Sequence, residues 1–186
     1  MSRGKGRLIV ISAPSGAGKS TIISYLLKLR PELVLSVSAT TRAPRAGETD
    51  GISYHFISRE QFLKMIDEGE FIEHAEYVGE YYGTPLKTVN EHLANGDDVL
   101  LEIEVQGAKQ IMELAAEAIT IYIVPPDMEE LERRLRGRGT DSEEKLAARL
   151  DRARTELEEK TRYKHIVVND EVSRAAKEIL SIIDSY

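Results

Sequence analysis

Four short runs of this chain are apolar on both faces: residues 8–12, 99–104, 119–124 and 165–168. They are rich in β-branched residues, and helical periodicity lies between them, as in parallel strands buried beneath crossover helices. This alternation predicts an α/β fold with a parallel sheet core flanked by helices. Between residues 35 and 96 the pattern changes. Residues 34–38, 54–57, 71–77 and 81–83 carry polar positions among apolar ones, which suits a small mixed sheet with one open face. Two helices are expected within that region. Ser58 with Gln61 forms a capping box for residues 59–68, closed by Gly69, and Thr84 caps a second helix that opens on Pro85 and ends at Asn95 and Gly96. Residues 127–163 are almost all helix and charge, broken where Gly137 and Gly139 flank Arg138, and Ser142 starts the second arm of a helical hairpin. Asp170 is expected to cap a closing helix over residues 171–183, with Val172, Ala176, Ile179, Leu180 and Ile183 at helical spacing. The expected layout is one domain, residues 1–186: a core of 1–34, 97–126 and 164–186, an inserted lobe of 35–96, and a lid of 127–163.

The first apolar run breaks into APSGAGKST, from Ala13 to Thr21. A strand, a glycine loop and then Lys-Ser opening a helix read as a phosphate-binding loop. Gly16 and Gly18 let backbone N–H groups close on anionic oxygens, with Ala13, Pro14, Ser15 and Ala17 completing the cradle. Lys19 bridges the terminal phosphates, Ser20 offers a hydroxyl to Mg²⁺, and Thr21 continues the helix whose positive end faces the same charge. The motif asks for glycine where this chain has Ala13, the smallest replacement, so the loop is read as tightened and intact.

Composition narrows the partners. A net charge of −7 argues against a nucleic-acid surface, and the absence of cysteine excludes a disulfide framework or a thiolate site. No apolar run reaches the length of a membrane span and no signal-peptide core follows the N-terminal cations, so a cytoplasmic protein is expected.

Arg42 and Arg45 flank Pro44 in ATTRAPRAGETDG, and two guanidinium forks on one non-helical loop suit a phosphate held bidentately. Taken with SVSATTRAPR, DGISYHF, GEFIEHAEYVGEYYGT, LEIEVQG and RLRGRGT, the chain closely resembles guanylate kinases over essentially its whole length. The resemblance implies a nucleoside-monophosphate-kinase fold and transfer of the γ-phosphoryl group of ATP to GMP. It implies that Arg42, Arg45, Tyr54 and Tyr82 hold the GMP phosphate, and that Ser38, Glu73, Thr84 and the acid at position 104 read guanine. It further implies a lid whose Arg134, Arg138 and Arg149 close over the transferring group, with Asn169 near adenine.

The chemistry supports a carboxylate base reader, because guanine presents two parallel donors, its N1–H and exocyclic amine, to an acceptor-only group. The stretch FIEHAEY does not itself distinguish Glu73 from Glu76. Glu104 departs from the family's aspartate, and Glu102 and Glu104 share, unassigned between them, the options of base contact and Mg²⁺ shell. In the hairpin, Glu129 with Arg133, Glu130 with Arg134 and Glu132 with Arg136 stand at i, i+4, worth about 0.2–0.5 kcal/mol each. Arg149 has no acid three or four residues away, and Arg138 lies in a turn, so those two have no helical partner.

No catalytic base is expected, since a phosphate monoester has its second pKa near 6 and attacks as a dianion. His55, His74, His92 and His165 are scattered without ligand spacing and are read as structural. Two other readings differ in what they require. A guanylate-kinase-like interaction module would have lost the phosphate loop or the acceptor arginines, and a sugar-bisphosphate kinase of the same fold would have no use for Ser38, Glu73 and Thr84. A switch GTPase would carry an Asn-Lys-x-Asp motif, which is absent.

Overall fold

A computed structural model of the chain describes residues 5–137 and 142–186. Strand β1 (Leu8–Ser12) leads through the glycine loop into α1 (Lys19–Leu29). Then come β2 (Val34–Leu35), β3 (Ala39–Thr40), β4 (His55–Phe56), α2 (Arg59–Asp67), β5 (Phe71–Tyr77), β6 (Glu80–Pro85) and α3 (Leu86–Ala94). The order is completed by β7 (Val99–Glu102), α4 (Val105–Leu114), β8 (Ile119–Val124), α5 (Met128–Gly137), α6 (Glu143–Glu158), a 3-10 turn at Glu159–Arg162, β9 (His165–Val168) and α7 (Val172–Asp184). These elements form two compact units: Met1–Leu8 with Leu33–Ala118, and Ile9–Glu32 with Ile119–Tyr186.

In the second of these units, β8 pairs in parallel with β1 on one side and β9 on the other. Every residue of β1 and β8 is buried, Ser12 and Thr120 among the apolar side chains, as strands covered on both faces require. The expectation of two-sided burial fails for β9, where Ile166 and Val168 are 43% and 38% exposed; a strand paired along one edge is covered less completely. Helix α1 buries Ile22, Ile23 and Leu26, and α7 buries Ala175, Ala176, Ile179 and Ile183. Arg30 joins the ends of these two helices through a fork to Asp184. Helices α5 and α6 share a small core of Leu131, Leu135, Leu146, Leu150 and Ala153.

In the other unit, β2 and β7 pair in parallel, and a four-stranded sheet runs in the order β4-β3-β6-β5. Its β3–β4 pair is parallel and the rest antiparallel, so the mixed sheet is present. Its membership differs from expectation. Residues 34 and 35 pair with Val99 and Leu100 instead of joining the mixed sheet, and β3, too short to show a period, takes their place.

Two predicted caps are also corrected. Ser58 does cap α2, accepting from the Gln61 N–H at 3.1 Å. Thr84 caps nothing: Pro85 stands at the N-cap of α3, and the Thr84 hydroxyl is spent inside the sheet. Asp170 lies one residue before the N-cap of α7, which is Glu171, and its carboxylate accepts from the Glu171 N–H and from Arg174.

Candidate active site

The loop between β1 and α1 has the features of an anion cradle. Gly18 is the N-cap of α1 with φ 88°, and neither a side-chain cap nor an acidic residue occupies the first turn, so the positive helix end is left to an external anion. Lys19 is half-buried there, with Ser20 and Thr21 exposed beside it. Ala13 needs no glycine. It is buried at the end of β1, and among the described non-glycine residues only Val78 has a positive φ.

Side chains from distant parts of the sequence hold this loop. Asn169, 3% exposed, donates from Nδ2 to the Ala17 carbonyl at 2.7 Å. A Cβ on Gly18 would stand 2.5 Å from that nitrogen, so glycine is required both by the left-handed backbone and by the close approach. Arg134 donates to the carbonyls of Ala17 (3.3 Å) and Asn169 (2.8 Å), while its Nε is held by Glu130 at 2.7 Å. Arg149 donates to the Ser15 hydroxyl at 3.1 Å. Gly16, with φ 89°, lies under the α5 leucines, and an added Cβ would be 2.6 Å from Leu135 Cδ2. Arg138 lies outside the described residues.

The hairpin's ion pairs largely follow the predicted spacing. Glu130 pairs with Arg134 and Glu132 with Arg136, but Arg133 takes Glu130 at i, i+3 in preference to Glu129. Hydrogen bonds from Arg133 and then Arg134 hold the Glu130 carboxyl down at about 2.

In the other unit the structure separates Glu73 from Glu76. Glu73 is 4% exposed, whereas Glu76 points to solvent. A bulge between Phe71 and Glu73 sets Glu73 directly opposite Thr84, and the Thr84 hydroxyl donates to Oε1 at 2.5 Å. A buried carboxylate that already accepts from a neutral hydroxyl offers the acceptor chemistry that guanine's paired donors require.

Arg42 stacks against the rings of Tyr54 (5.4 Å) and Phe56 (5.9 Å) and forms a fork with Glu48. That pairing, with a smaller contribution from the Tyr82 oxygen, raises its pKa above the ordinary arginine value. Tyr54 and Tyr82 meet edge to face at 6.0 Å. Burial, then the charge of Glu102, pushes the Tyr54 phenol up, and Glu104 acts in the same direction. Glu104 is no longer strand: it occupies the N-cap of α4, and Glu102 ends β7. Ser38 is half-buried and uses its carbonyl to accept from the His55 N–H at 2.9 Å. Arg45 gives its backbone N–H to Glu48 and exposes its side chain. Of the histidines, His92 pairs with Asp97 and His165 with the Tyr186 hydroxyl.

Three contributors were not read from the sequence. Gly107 passes so close to Glu73 that a Cβ would stand 1.9 Å from Oε2. A glycine in the first turn of a helix, in LEIEVQG, was the available signal. Glu48 closes on Arg42 and Arg45 across a Pro- and Gly-containing turn. Glu156, on α6, accepts from the Ser15 N–H at 3.1 Å, a pairing across 141 positions that no local pattern encodes.

A family model described as guanylate kinase matches residues 5–186. The chain is 50% identical over 179 residues to a guanylate kinase of Prochlorococcus marinus subsp. pastoris, covering 96% of this chain and 97% of that protein. It superposes on the crystal structure of guanylate kinase from Anaplasma phagocytophilum with a TM-score of 0.82 and 37% identity, covering 98% of this chain and 86% of that one. The SH3-kinase fragment of tight junction protein 3 aligns with all of this chain and 59% of its own at a TM-score of 0.53 and 11% identity, a likeness of fold alone.

Proposed function

The chain belongs to the guanylate kinase family, and from that premise we propose how its own residues transfer the γ-phosphoryl group of ATP to GMP, giving ADP and GDP. The observation that carries the reading is the buried Glu73–Thr84 pair together with Arg42 stacked against Tyr54 in one unit, and in the other a glycine loop that leaves its helix end open to an anion.

GMP is read first at its base. The Glu73 carboxylate accepts from guanine N1–H and the exocyclic amine, with Thr84 and Ser38 alongside and Glu104 or Glu102 at the margin. Adenine lacks that donor pair, and a buried acceptor left unpaired discriminates strongly. Arg42 and Arg45, with the hydroxyls of Tyr54 and Tyr82, take the phosphate. ATP lies with its phosphates on the backbone of residues 13–18 and on Lys19. The Asn169 Oδ1 is buried without a partner among the described residues, which suits a donor such as the adenine amino group.

Mg²⁺ is proposed to accompany the triphosphate, with the Ser20 hydroxyl as the protein's contribution. A single neutral ligand fits an ion whose charge is met by phosphate oxygens. When bound, the ion neutralises charge developing on the β- and γ-oxygens.

GMP needs no general base, so the protein aligns the reactants and balances charge. Arg134, Arg138 and Arg149 are proposed to stabilise the transferring group, and an arginine in such a place contributes roughly 10³–10⁵ in rate. Residues 35–96 and 127–163 are the segments proposed to move on binding and to exclude water. The test is an acceptor panel with ATP and Mg²⁺, following ADP. Turnover with GMP and little with AMP, CMP or a ribose bisphosphate is expected; equal use of these acceptors would overturn the assignment.

A further inference from the structure

The loop that carries both acceptor arginines also carries its own acid. Glu48 Oε1 accepts from Arg42 Nη2 at 2.8 Å and Oε2 from Nη1 at 3.0 Å, while Oε2 also accepts from the Arg45 N–H at 2.7 Å. The Glu48 N–H returns to the Arg45 carbonyl at 3.0 Å, closing a turn. Arg42 Nη1 makes one further donation, to the Ala43 carbonyl at 2.7 Å. The pair is well sheltered, the side chains being 14% and 22% exposed. These contacts occupy the end-on fork of the guanidinium and do not themselves use Nε–H or the second Nη2–H, and the Tyr82 oxygen is a further, weaker partner of the group. That edge matches two phosphate oxygens as well as the fork does.

We propose that Glu48 is the positioning residue of the acceptor-phosphate site. It fixes the plane of the Arg42 guanidinium and the backbone of Arg45, so that the loop receives the GMP phosphate without first having to order itself. The inference rests on the functional reading above and deepens it.

Charge counting alone leads to the opposite expectation. Glu48 cancels one of two positive charges on the loop, so removing it leaves a more cationic loop that should grip a phosphate dianion harder. Orientation outweighs this for a geometric reason. Screening weakens a partly exposed charge over a Debye length of about 10 Å, whereas a rotated guanidinium loses directional, charge-assisted hydrogen bonds outright. A glutamine at this position keeps one acceptor oxygen and turns an NH₂ toward a donor. It therefore cannot accept all three bonds.

The test compares wild type with Glu48→Gln and Glu48→Asp. Steady-state kinetics would vary GMP and ATP separately, thermal melts would check the fold, and calorimetry would compare GMP with guanosine. For Glu48→Gln the KM for GMP should rise about tenfold or more, the loss of one charge-assisted hydrogen bond, with the KM for ATP within about twofold of wild type. Guanosine binding should be unchanged, since it has no phosphate to misplace. Glu48→Asp, one carbon shorter with its charge intact, should restore part of the loss. A lower KM for GMP would overturn the proposal in favour of simple charge. So would an unchanged KM for GMP with a lowered melting temperature, the mark of a purely structural residue. If wild type itself neither bound nor used GMP, the acceptor reading would fall and this inference with it; a GMP-active wild type with an indifferent Glu48→Gln would remove this inference alone.

Discussion

Gly107→Ala places a single methyl group against the residue proposed to read guanine. Its Cβ would stand 1.9 Å from Glu73 Oε2 and 2.8 Å from the carboxyl carbon. Ordinary contact begins near 3.5 Å, so the carboxylate must retreat by roughly 1.6 Å. The helix backbone that carries residue 107 cannot absorb that shift, because Gly107 is buried in the first turn of α4. The Thr84 hydroxyl, 2.5 Å from Oε1, would then lose its partner. A hydrogen bond to a charged group contributes about 1.5–3 kcal/mol, against which alanine gains about 1 kcal/mol over glycine in a helix. The balance is a loss of roughly 0.5–2 kcal/mol, a fall of a few degrees in melting temperature for a chain of this length. The effect on catalysis should be larger and selective. If the misplaced carboxylate forfeits one charge-assisted bond to guanine, kcat/KM for GMP drops about 10- to 150-fold, while the KM for ATP holds. Steady-state kinetics with each nucleotide varied in turn, beside a thermal melt, reads both numbers. GMP parameters within twofold of wild type would show that the pocket for the base does not depend on where Glu73 sits.

Two further perturbations probe the other unit. Lys19→Ala should cut turnover by at least about 10³-fold while the melting temperature stays near wild type, because the lysine is proposed to meet phosphate charge and carries none of the apolar core; residual turnover above a few per cent would argue against it. Glu130→Gln should show a pH signature. Its carboxyl is held at about 2, below the ordinary glutamate value, so its stabilisation is complete above about 4.3 and fades as pH falls through about 2. The variant should melt below wild type at pH 7, with the gap closing toward pH 2, and a gap that stays constant across melts from pH 2 to 7 would refute the pairing.

The elements that were legible from sequence are those whose signal is local. Residues 8–12 and 119–124 are apolar but for Ser12 and Thr120, both buried, because both faces are covered, and the strands match those limits. The turn from β1 into α1 was legible because glycines at a fixed spacing mark it, and Gly16 and Gly18 both take a positive φ. The small mixed sheet was harder. Two-residue strands such as β3 have no period, and their pairing is decided by partners 16 to 65 residues away. Thr84 shows how a correct local rule is overruled: the residue is a good helix cap, but the bulge in β5 brings a buried carboxylate opposite it, and a buried charge claims the hydroxyl first. Glu73 and Glu76 look alike in the chain because both lie on one strand, and burial alone separates them. Gly107, Glu48 and Glu156 act by close approach or through pairings fixed by the folded chain, which periodicity does not record.

The leucines over Gly16 make hydrocarbon a part of the proposed donor site. Leu131 and Leu135 belong to the greasy seam between α5 and α6, yet their methyl groups also form the ceiling above a phosphate-loop residue. Trimming or swelling that seam changes the room in which the loop keeps its shape, with no polar atom altered. Affinity for the donor proposed to bind there would thus be written partly in oil, and drift at two residues with no charge to offer would retune it.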